Sequence, residues 1–356
     1  MASMNSPLVS VAMVVCNVDR FLSQAIDSVL NQTLRDLEFV IVDFGSEDRS
    51  KAIVSGYAAK DSRIKFHEIP HCGLAEARNA ACFLCKTDYI AIMDADDIAV
   101  EERLQWQMEF MLKSPDVGVV GGGVQWIDVQ GMALRNAYNP CDDAEIQAQL
   151  LYGCPFWQPT VLMRREAFVQ VGGYRDAFAP AEDYDLWLRI AEQYKMANLS
   201  KILLRYRMHP GQVSVRKREQ QTFGHLAAQV SASRRRSGNP DPLSLVKEIT
   251  PALLQQLGID EPTIEKKLAT EYVIWMRHLF LATEYSSALD VSSKVLQSSN
   301  WIHARKIIVD VRLMNAHIYW KQKKFLKSLT CVCGAFVRRP LIAGRPLRAI
   351  LRLLQS

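Results

Sequence analysis

The chain of 356 residues is 49% hydrophobic and 23% charged, which is typical of a globular protein with one large domain or two. No apolar run approaches the ~18 residues that a transmembrane helix needs, and residues 1–8 lack the basic and apolar regions of a signal peptide. The eight cysteines are scattered, so we expect buried thiols and a cytoplasmic location rather than disulfides and secretion.

Charge is distributed unevenly along the chain. The net charge is +5, yet the segment Val311–Ser356 contains ten Lys or Arg residues and no Asp or Glu. Its basic residues are mixed with apolar ones, which favours peripheral contact with an anionic membrane, at the inner face of the cell membrane. The alternative is a solvated basic face on a helical domain. Nucleic acid is disfavoured as a partner, because no recognised binding motif accompanies the charge.

Apolar runs and amphipathic helical patterns alternate along the amino-terminal part of the chain. Runs of this kind predict strands that are buried on both faces of a sheet. They are Leu8–Cys16, Glu38–Val42 and Tyr89–Met93, whereas Ile64–Ile69 is a less apolar strand that we expect nearer an edge of the sheet. A helical pattern separates each run from the next, and the last of these helices, Gly73–Ala81, is rich in small residues. The alternation predicts an α/β fold with a mainly parallel sheet.

Charged side chains stand at the predicted carboxyl edge of this sheet. Asp43 ends the second strand, Arg78 lies near a helix start, and Asp94, Asp96 and Asp97 follow the fourth strand. Ligands of parallel sheets bind at this edge, so these residues are expected to share one crevice. Side chains alternate along a strand, which places Asp94 and Asp96 on one side and Asp97 on the other. Two carboxylates together suit a hard divalent cation, whereas the alternative is a set of helix caps.

The middle of the chain offers further candidates. Val117–Ile127 reads as a strand interrupted by Gly121–Gly123, for which we predict a bulge or a close backbone approach. No G-x-G-x-x-G opens a helix there, and no P-loop motif occurs, so both nucleotide-binding motifs are excluded. Glu182–Asp183 begins a predicted helix, where a carboxylate either caps the helix or serves as a general base. His209 lies in a predicted turn and is solvated unless a metal site is near.

Taken together, these segments resemble family 2 glycosyltransferases of the GT-A fold, over roughly Val9 to Ser214. Five stretches carry the resemblance, in the order and spacing typical of the family. They are Val14–Asn17, Asp43–Asp48, Gly73–Asn79, Met93–Asp97 and Glu182–Arg189. The resemblance implies a Rossmann-like, mainly parallel sheet that binds a nucleotide-sugar, followed by an α-helical carboxyl-terminal region.

The resemblance also implies which residues bind the donor. Val15 and Asn17 stand at the end of the first strand, where the family binds the nucleotide. Asp43 is expected to hydrogen-bond the base, with uracil or thymine favoured, and hence a UDP- or dTDP-sugar. Arg78 is expected beside the base or the diphosphate, and Asp94 at the ribose or the metal.

For the reaction, the resemblance implies an inverting, metal-dependent transfer. Asp96 is expected to be the main protein ligand of Mn²⁺ or Mg²⁺, helped by Asp94 and by His209. Asp183 is expected to deprotonate the acceptor hydroxyl, which belongs to a glycan or a lipid-linked acceptor. The family's Gln-x-x-Arg-Trp element for processive synthesis is absent, so transfer of a single sugar is expected, in cell-surface polysaccharide synthesis.

Two departures from the family pattern leave other functions to be weighed. Phe44 replaces the usual second Asp of the base-binding loop, and Cys16 replaces the usual Tyr. A non-catalytic nucleotide-sugar-binding or scaffolding protein of the same fold is therefore one alternative. A haloacid-dehalogenase-like phosphatase is a weaker one, because its D-x-D pair normally lies near the amino terminus rather than after a fourth strand.

The carboxyl-terminal third is predicted to be helical. We expect a GT-A domain over residues 1–230, a polar linker over 231–244, and a helical domain with the basic tail over 245–356. The stretches Tyr285–Leu289 and Phe325–Leu329 weakly resemble helical-hairpin repeats, although a plain helical bundle is the simpler prediction.

Overall fold

A computed structural model describes residues 6–209, 211–212, 217–297 and 305–338. The chain divides into two compact units. The first comprises residues 1–207 and 223–250, and the second comprises residues 208–222 and 251–356.

The first unit is built on a nine-stranded sheet whose amino-terminal half is parallel. The strands of this half are β1 (Val9–Val15), β2 (Leu37–Asp43), β3 (Ile64–Glu68) and β4 (Tyr89–Asp94), in the order β3-β2-β1-β4. Their neighbours pair in parallel, so all four carboxyl ends lie at one edge. The predicted α/β architecture and its parallel strands are confirmed, because β1, β2 and β4 are buried apolar runs and the less apolar β3 lies at the edge and is only partly buried.

Helices connect these strands and cover the sheet. They are α1 (Asp19–Leu30), α2 (Ser50–Ala58), α3 (Leu74–Leu84) and α4 (Arg103–Lys113). In α1 the apolar face Phe21, Leu22, Ala25, Ile26 and Val29 is buried. Burial of such a stripe, rather than helix propensity alone, stabilises a short helix.

The other half of the sheet mixes strand directions. It contains β5 (Ile98–Ala99), β6 (Val117–Ile127), β7 (Ala133–Ala137), β8 (Leu162–Arg164) and β9 (Lys195–Arg207). β8 pairs antiparallel with β4 and β6, whereas β9 runs parallel to β6. The helices α5 (Asp143–Leu150), α6 (Arg165–Gln170) and α7 (Glu182–Ile190) lie between these strands in the sequence.

The glycine run of β6 behaves as predicted. The register between β6 and β9 shifts at Gly122 and Gly123, which is the expected irregularity. A Cβ atom on Gly122 would lie 2.5 Å from a methyl carbon of Leu203 and 3.3 Å from the carbonyl oxygen of Leu199. The neighbouring strand therefore approaches too closely for any side chain at this position.

The predicted linker begins inside a helix. Helix α8 runs from Arg218 to Arg236, so the first residues of the stretch 231–244 are helical. Arg235 donates hydrogen bonds to Glu192 and, at 2.7 Å, to Asp241. These charge-assisted bonds fix the segment within the first unit, which composition alone did not reveal.

The second unit is helical. Its helices are α9 (Pro251–Gln256), α10 (Glu261–Leu281), α11 (Tyr285–Gln297), α12 (Arg305–Lys321) and α13 (Phe325–Arg338). The α10–α11 and α12–α13 pairs are hairpins that share one type of turn. Thr283 and Lys323 occupy the same position with φ of 60° and 59°, and each donates to the carbonyl three residues earlier. The weak repeat read from the sequence thus corresponds to two hairpins of the same design.

The predicted basic tail is described only in its first part. Val311–Arg338 belongs to α12 and α13, whereas residues 339–356 lie outside the described residues. No helix among the described residues combines the length and apolarity that crossing a bilayer requires.

Replacing glycine at two positions should have opposite effects on stability. Gly122→Ala places a methyl group against Leu203 and the backbone of β9, so we expect the free energy of unfolding to fall by about 1–3 kcal/mol. Gly56→Ala lies in α2 with no atom within 4 Å of the new Cβ, so helix propensity should raise stability by up to about 1 kcal/mol. Urea unfolding of both variants measures the difference, and equal stabilities would contradict the close approach.

Candidate active site

Asp43 closes β2 with a fully buried carboxylate. Its Oδ1 accepts hydrogen bonds from the backbone N–H of Gly45 at 3.0 Å and of Ser46 at 2.9 Å, which fixes the turn after the strand. Its Oδ2 is buried and has no hydrogen-bond partner among the described residues. Such an acceptor is costly to leave unpaired, so it is available to a ligand donor.

Val15 and Asn17 support the same turn from the end of β1. The Val15 side chain is buried in the core, and its carbonyl accepts from the backbone N–H of Phe44 at 3.1 Å. Asn17 has a φ of +53°, a left-handed conformation that Asn tolerates. Its Oδ1 accepts from the N–H of Glu47 at 2.8 Å and of Asp48 at 3.3 Å. In this structure both predicted donor-binding residues shape the loop that carries Asp43.

Phe44 lies beside a residue that sequence reasoning missed. Its ring is stacked on that of His71, with centroids 6.3 Å apart and planes 14° apart. His71 Nδ1 is also 3.1 Å from the carbonyl oxygen of Phe44. Gly45 follows Phe44 and has a φ of +101°, which favours glycine. Any side chain at this position would also collide with His71. Only the proximity created by the fold identifies His71, since it lies in a loop with no motif.

Arg78 joins the end of β4 to the start of α7. Its guanidinium donates to Asp94 at 3.2 Å and to Glu182 at 2.5 Å. Burial alone would lower the pKa of Arg78, but the carboxylates of Glu182 and Asp94 raise that pKa well above its ordinary value. Glu182 is fully buried and its Oε2 has no hydrogen-bond partner among the described residues. Arg78 therefore remains charged and fixes both carboxylates.

The three acids at the end of β4 differ in exposure. The strand itself ends at Asp94, and a turn that contains Asp96 and Asp97 follows. Asp94 is partly exposed, with 26% of its side chain accessible, whereas Asp97 is 1% exposed. Asp97 Oδ1 accepts from the backbone N–H of Arg207 at 2.7 Å, and Arg207 Nε donates to the carbonyl of Asp96 at 2.8 Å. Asp97 therefore ties the turn after β4 to the end of β9.

These acids raise one another's affinity for protons. Burial, opposed by Arg78 and reinforced by Asp96, raises the pKa of Asp94. Burial and the charges of Asp96 and Asp94 raise the pKa of Asp97 well above its ordinary value. Crowded carboxylates of this kind are relieved by a positive charge, and carboxylate oxygens are the ligands that hard cations prefer.

Asp183 stands in the first turn of α7, next to Glu182 and half-buried. Burial, followed by the charge of Glu182, raises the pKa of Asp183 to about 7, with Arg78 acting in the opposite direction. A carboxylate with a pKa near the working pH is suited to general-base catalysis. The dipole at the start of a helix favours an ionised carboxylate, but burial and the charge of Glu182 outweigh that influence on the pKa of Asp183.

The rest of α7 is held by ion pairs on its inner face. Asp185 is fully buried and pairs with Arg175 and with Arg189, the latter at 2.8 Å. Arg189 also donates to the carbonyls of Val171 at 2.5 Å and Gly173 at 2.7 Å. Asp183 is therefore not among the side chains whose ion pairs anchor the helix.

His209 belongs to the second unit, where its backbone N–H donates to Gln212 at 3.2 Å. Its role as a metal ligand stays a prediction. Among the residues that the structure describes, no group of three or more His, Cys, Asp or Glu side chains is arranged to hold a metal ion.

The sequence is similar to that of known glycosyltransferases. Residues 10–172 match the family model of Glycosyl transferase family 2. The O-antigen biosynthesis glycosyltransferase WbnJ of Escherichia coli is 34% identical over 207 residues, which cover 57% of this chain and 80% of WbnJ.

Two solved structures share the fold at low identity. S. aureus TarS 1-349 in complex with UDP-GlcNAc has a TM-score of 0.53 at 16% identity, covering 91% of this chain and 90% of that one. The mannosyltransferase PcManGT from Pyrobaculum calidifontis, in complex with GDP-Man and Mn²⁺, has a TM-score of 0.53 at 18% identity and covers 87% of each chain. The predicted GT-A fold with a carboxyl-terminal helical region is confirmed.

Two substitutions of Asp97 should separate its hydrogen bond from its charge. Asp97→Asn keeps an acceptor for Arg207 and resembles the protonated acid that the raised pKa favours, so stability should change by less than about 1 kcal/mol. Asp97→Ala leaves the Arg207 N–H unpaired and should cost about 1–3 kcal/mol. Denaturant unfolding at neutral pH measures both, and an equal loss in the two variants would contradict this role.

Proposed function

Because the chain belongs to glycosyl transferase family 2, we propose that this enzyme is an inverting, metal-dependent glycosyltransferase that moves a single sugar from a nucleotide-sugar to a glycan or lipid-linked acceptor. The observation that carries the proposal is the connected group formed by Arg78, Asp94, Glu182 and Asp183 at the ends of β4 and α7. The name of the relative WbnJ, an O-antigen biosynthesis enzyme, supports a place in cell-surface polysaccharide synthesis.

The donor is proposed to bind with its base at Asp43. The unpaired Oδ2 of this carboxylate can accept the imide N–H of uracil or thymine. The fold neighbours TarS and PcManGT are complexed with UDP-GlcNAc and GDP-Man, so nucleotide-sugar binding suits the fold. Because Asp43 Oδ2 can accept from an imide N–H, a UDP- or dTDP-sugar is favoured over a donor with another base.

The divalent cation is proposed to be Mn²⁺ or Mg²⁺ held by Asp96 and Asp94. Both offer carboxylate oxygens at the strand end, and their crowding is relieved by a cation. Two carboxylates fit a cation that takes its remaining ligands from diphosphate oxygens and water. When bound, the cation supplies Lewis-acid stabilisation of the charge that develops on the leaving diphosphate.

Asp183 is proposed to act as the general base. Its carboxylate accepts the proton of the acceptor hydroxyl while the hydroxyl oxygen attacks the anomeric carbon. The bond from that carbon to the diphosphate oxygen breaks on the opposite side, which inverts the anomeric configuration. Arg78 donates to Asp94 on one side and to Glu182, the neighbour of Asp183, on the other. These bonds fix the distance between the proposed donor site at Asp94 and the proposed base.

Location and acceptor remain predictions. We propose a cytoplasmic enzyme whose acceptor is met at the inner face of the cell membrane, as the basic tail indicates. His209 stays a proposed additional ligand of the cation.

A thermal-shift experiment should detect the donor and the cation together. We expect a UDP- or dTDP-sugar to raise the melting temperature more with Mn²⁺ than without it, because the diphosphate and the cation share ligands. Asp96→Asn should remove the Mn²⁺-dependent part of the shift. Asp116→Asn, an exposed carboxylate paired with Lys195, is the matched control and should keep the full shift.

Two results would count against the proposal. If no nucleotide-sugar stabilises the protein, donor binding fails. If donors bind but neither transfer nor donor hydrolysis is found with any acceptor tested, the non-catalytic alternative gains support.

The pH dependence of transfer should report Asp183. Only the ionised carboxylate accepts a proton, so kcat/KM should fall about tenfold per pH unit below a pKa near 7. Asp183→Asn should lower kcat by about 10²–10⁴-fold, whereas Asp142→Asn, at the start of α5, should not change it. Unchanged turnover in Asp183→Asn would remove this residue from the mechanism.

The same substitution should change stability with a defined sign. The pKa of Asp183 is about 7 in the folded protein against an ordinary value of 3.8, so ionisation opposes folding as pH rises through this interval. Asp183→Asn should therefore melt at a higher temperature than the wild type at about pH 8, and this gain should vanish near pH 4. Melting curves of both proteins across this range measure it.

A further inference from the structure

The turn between α12 and α13 presents a group of exposed apolar side chains, which we call the hairpin tip (residues 320–329). The exposed fractions are 42% for Trp320, 53% for Phe325, 83% for Leu326 and 60% for Leu329. The rings of Trp320 and Phe325 are in T-shaped contact, with centroids 4.8 Å apart. Residues on both helices thus form one continuous apolar surface, which is uncommon on a surface exposed only to water.

Lysines surround this apolar group. The hairpin tip contains Lys321, Lys323, Lys324 and Lys327, and no Asp or Glu occurs from Val311 to Arg338. None of the four lysines forms an ion pair with any described residue. Their charge is therefore available to an anionic partner.

The other hairpin shows that the fold does not require this surface. At the corresponding positions of the α10–α11 turn, Phe280, Tyr285 and Leu289 are half-buried. Phe280 packs against His317 of α12, with ring centroids 4.7 Å apart. That turn carries Glu284 where the hairpin tip carries Lys324. The same turn geometry thus exists with these three apolar side chains half-buried, with Leu281 as its one large apolar side chain that is exposed at the turn, and without clustered lysines.

We propose that the hairpin tip docks on an anionic lipid membrane. Trp320, Phe325, Leu326 and Leu329 would enter the interfacial layer, and the lysines would contact lipid phosphates. Aromatic and leucine side chains flanked by lysines are suited to this boundary, where one layer is apolar and the next is anionic. The proposal rests on the membrane location given under the proposed function and names the part of the basic tail that makes the contact, but it requires nothing of the transfer reaction.

Charge argues against two other occupants of this surface. Residues 339–356 of the same chain contain four arginines and no acidic residue, so they would bring positive charge onto a positive surface. A second copy of the hairpin tip would do the same. Anionic lipid offers both an apolar layer and the opposite charge.

The test is co-sedimentation of the full chain with vesicles of phosphatidylcholine, with and without phosphatidylglycerol. We expect binding to the anionic vesicles and weaker binding to the neutral ones. Each Lys→Gln substitution at 321, 323, 324 and 327 should lower partitioning by about fivefold. The combined substitution Phe325→Ser, Leu326→Ser and Leu329→Ser should lower it by about tenfold or more. Far-UV circular dichroism establishes that the variants fold.

Two matched variants show which part of the chain is responsible for binding to anionic vesicles. Gln in place of Lys60, Lys65, Lys86 and Lys113, all exposed in the first unit, removes the same charge elsewhere and should leave partitioning nearly unchanged. Gln in place of the four arginines of residues 339–356 should leave most of the dependence on the hairpin tip in place. If this last variant abolishes binding while the hairpin-tip variants bind normally, the proposal is overturned.

Tryptophan fluorescence tests insertion directly. Anionic vesicles should shift the emission of the wild type to shorter wavelength, and Trp320→Phe should lose that shift. Equal binding to neutral and anionic vesicles would overturn the proposal. So would light scattering that shows a dimer dissociated by the hairpin-tip substitutions, since the surface would then be an interface between copies.

Discussion

The ion triad of Arg78 with Asp94 and Glu182 is the interaction on which the site depends. It joins a residue of α3 to the end of β4 and to the start of α7, segments that are far apart in the sequence. Glu182 is fully buried, so its ionised carboxylate is stable only with a cation beside it. Removing one partner of a buried pair costs about 3–5 kcal/mol, because the remaining charge is left uncompensated. The triad therefore sets both the position of α7 and the geometry of the strand-end acids.

Helical periodicity explains why adjacent acids of α7 have different roles. Glu182, Asp185 and Arg189 are separated by intervals that return to one face of a helix, and all three are buried in ion pairs. Asp183 is rotated about 100° from Glu182 and leaves that face. These anchoring side chains can be strongly paired without engaging Asp183, since they lie on another face of the helix. Adjacent acids of one run therefore have different surroundings.

Much of the sheet was predictable, because a strand buried on both faces leaves an unbroken apolar run. The ends of β2 and β4, and therefore the positions of Asp43 and Asp94, follow directly from such runs. The partners of these residues do not follow. Arg78 meets Glu182 across 104 residues and Asp97 meets Arg207 across 110, and no local pattern encodes such contacts. For the same reason the sequence revealed neither the hydrogen bonds of Asn17 to the loop after β2 nor the proximity of His71 to that loop.

Electrostatics connects Asp94 at the end of β4 with Asp183 at the start of α7. Arg78 lowers the proton affinity of both Asp94 and Asp183, in opposition to the burial that raises the pKa of each. Glu182 acts in the other direction on both groups while it holds Arg78 in place. A single guanidinium and its fixed partner thus balance two carboxylates on different elements. Moving the guanidinium would change the proton affinity of Asp94 and of Asp183 together, so neither can be adjusted alone.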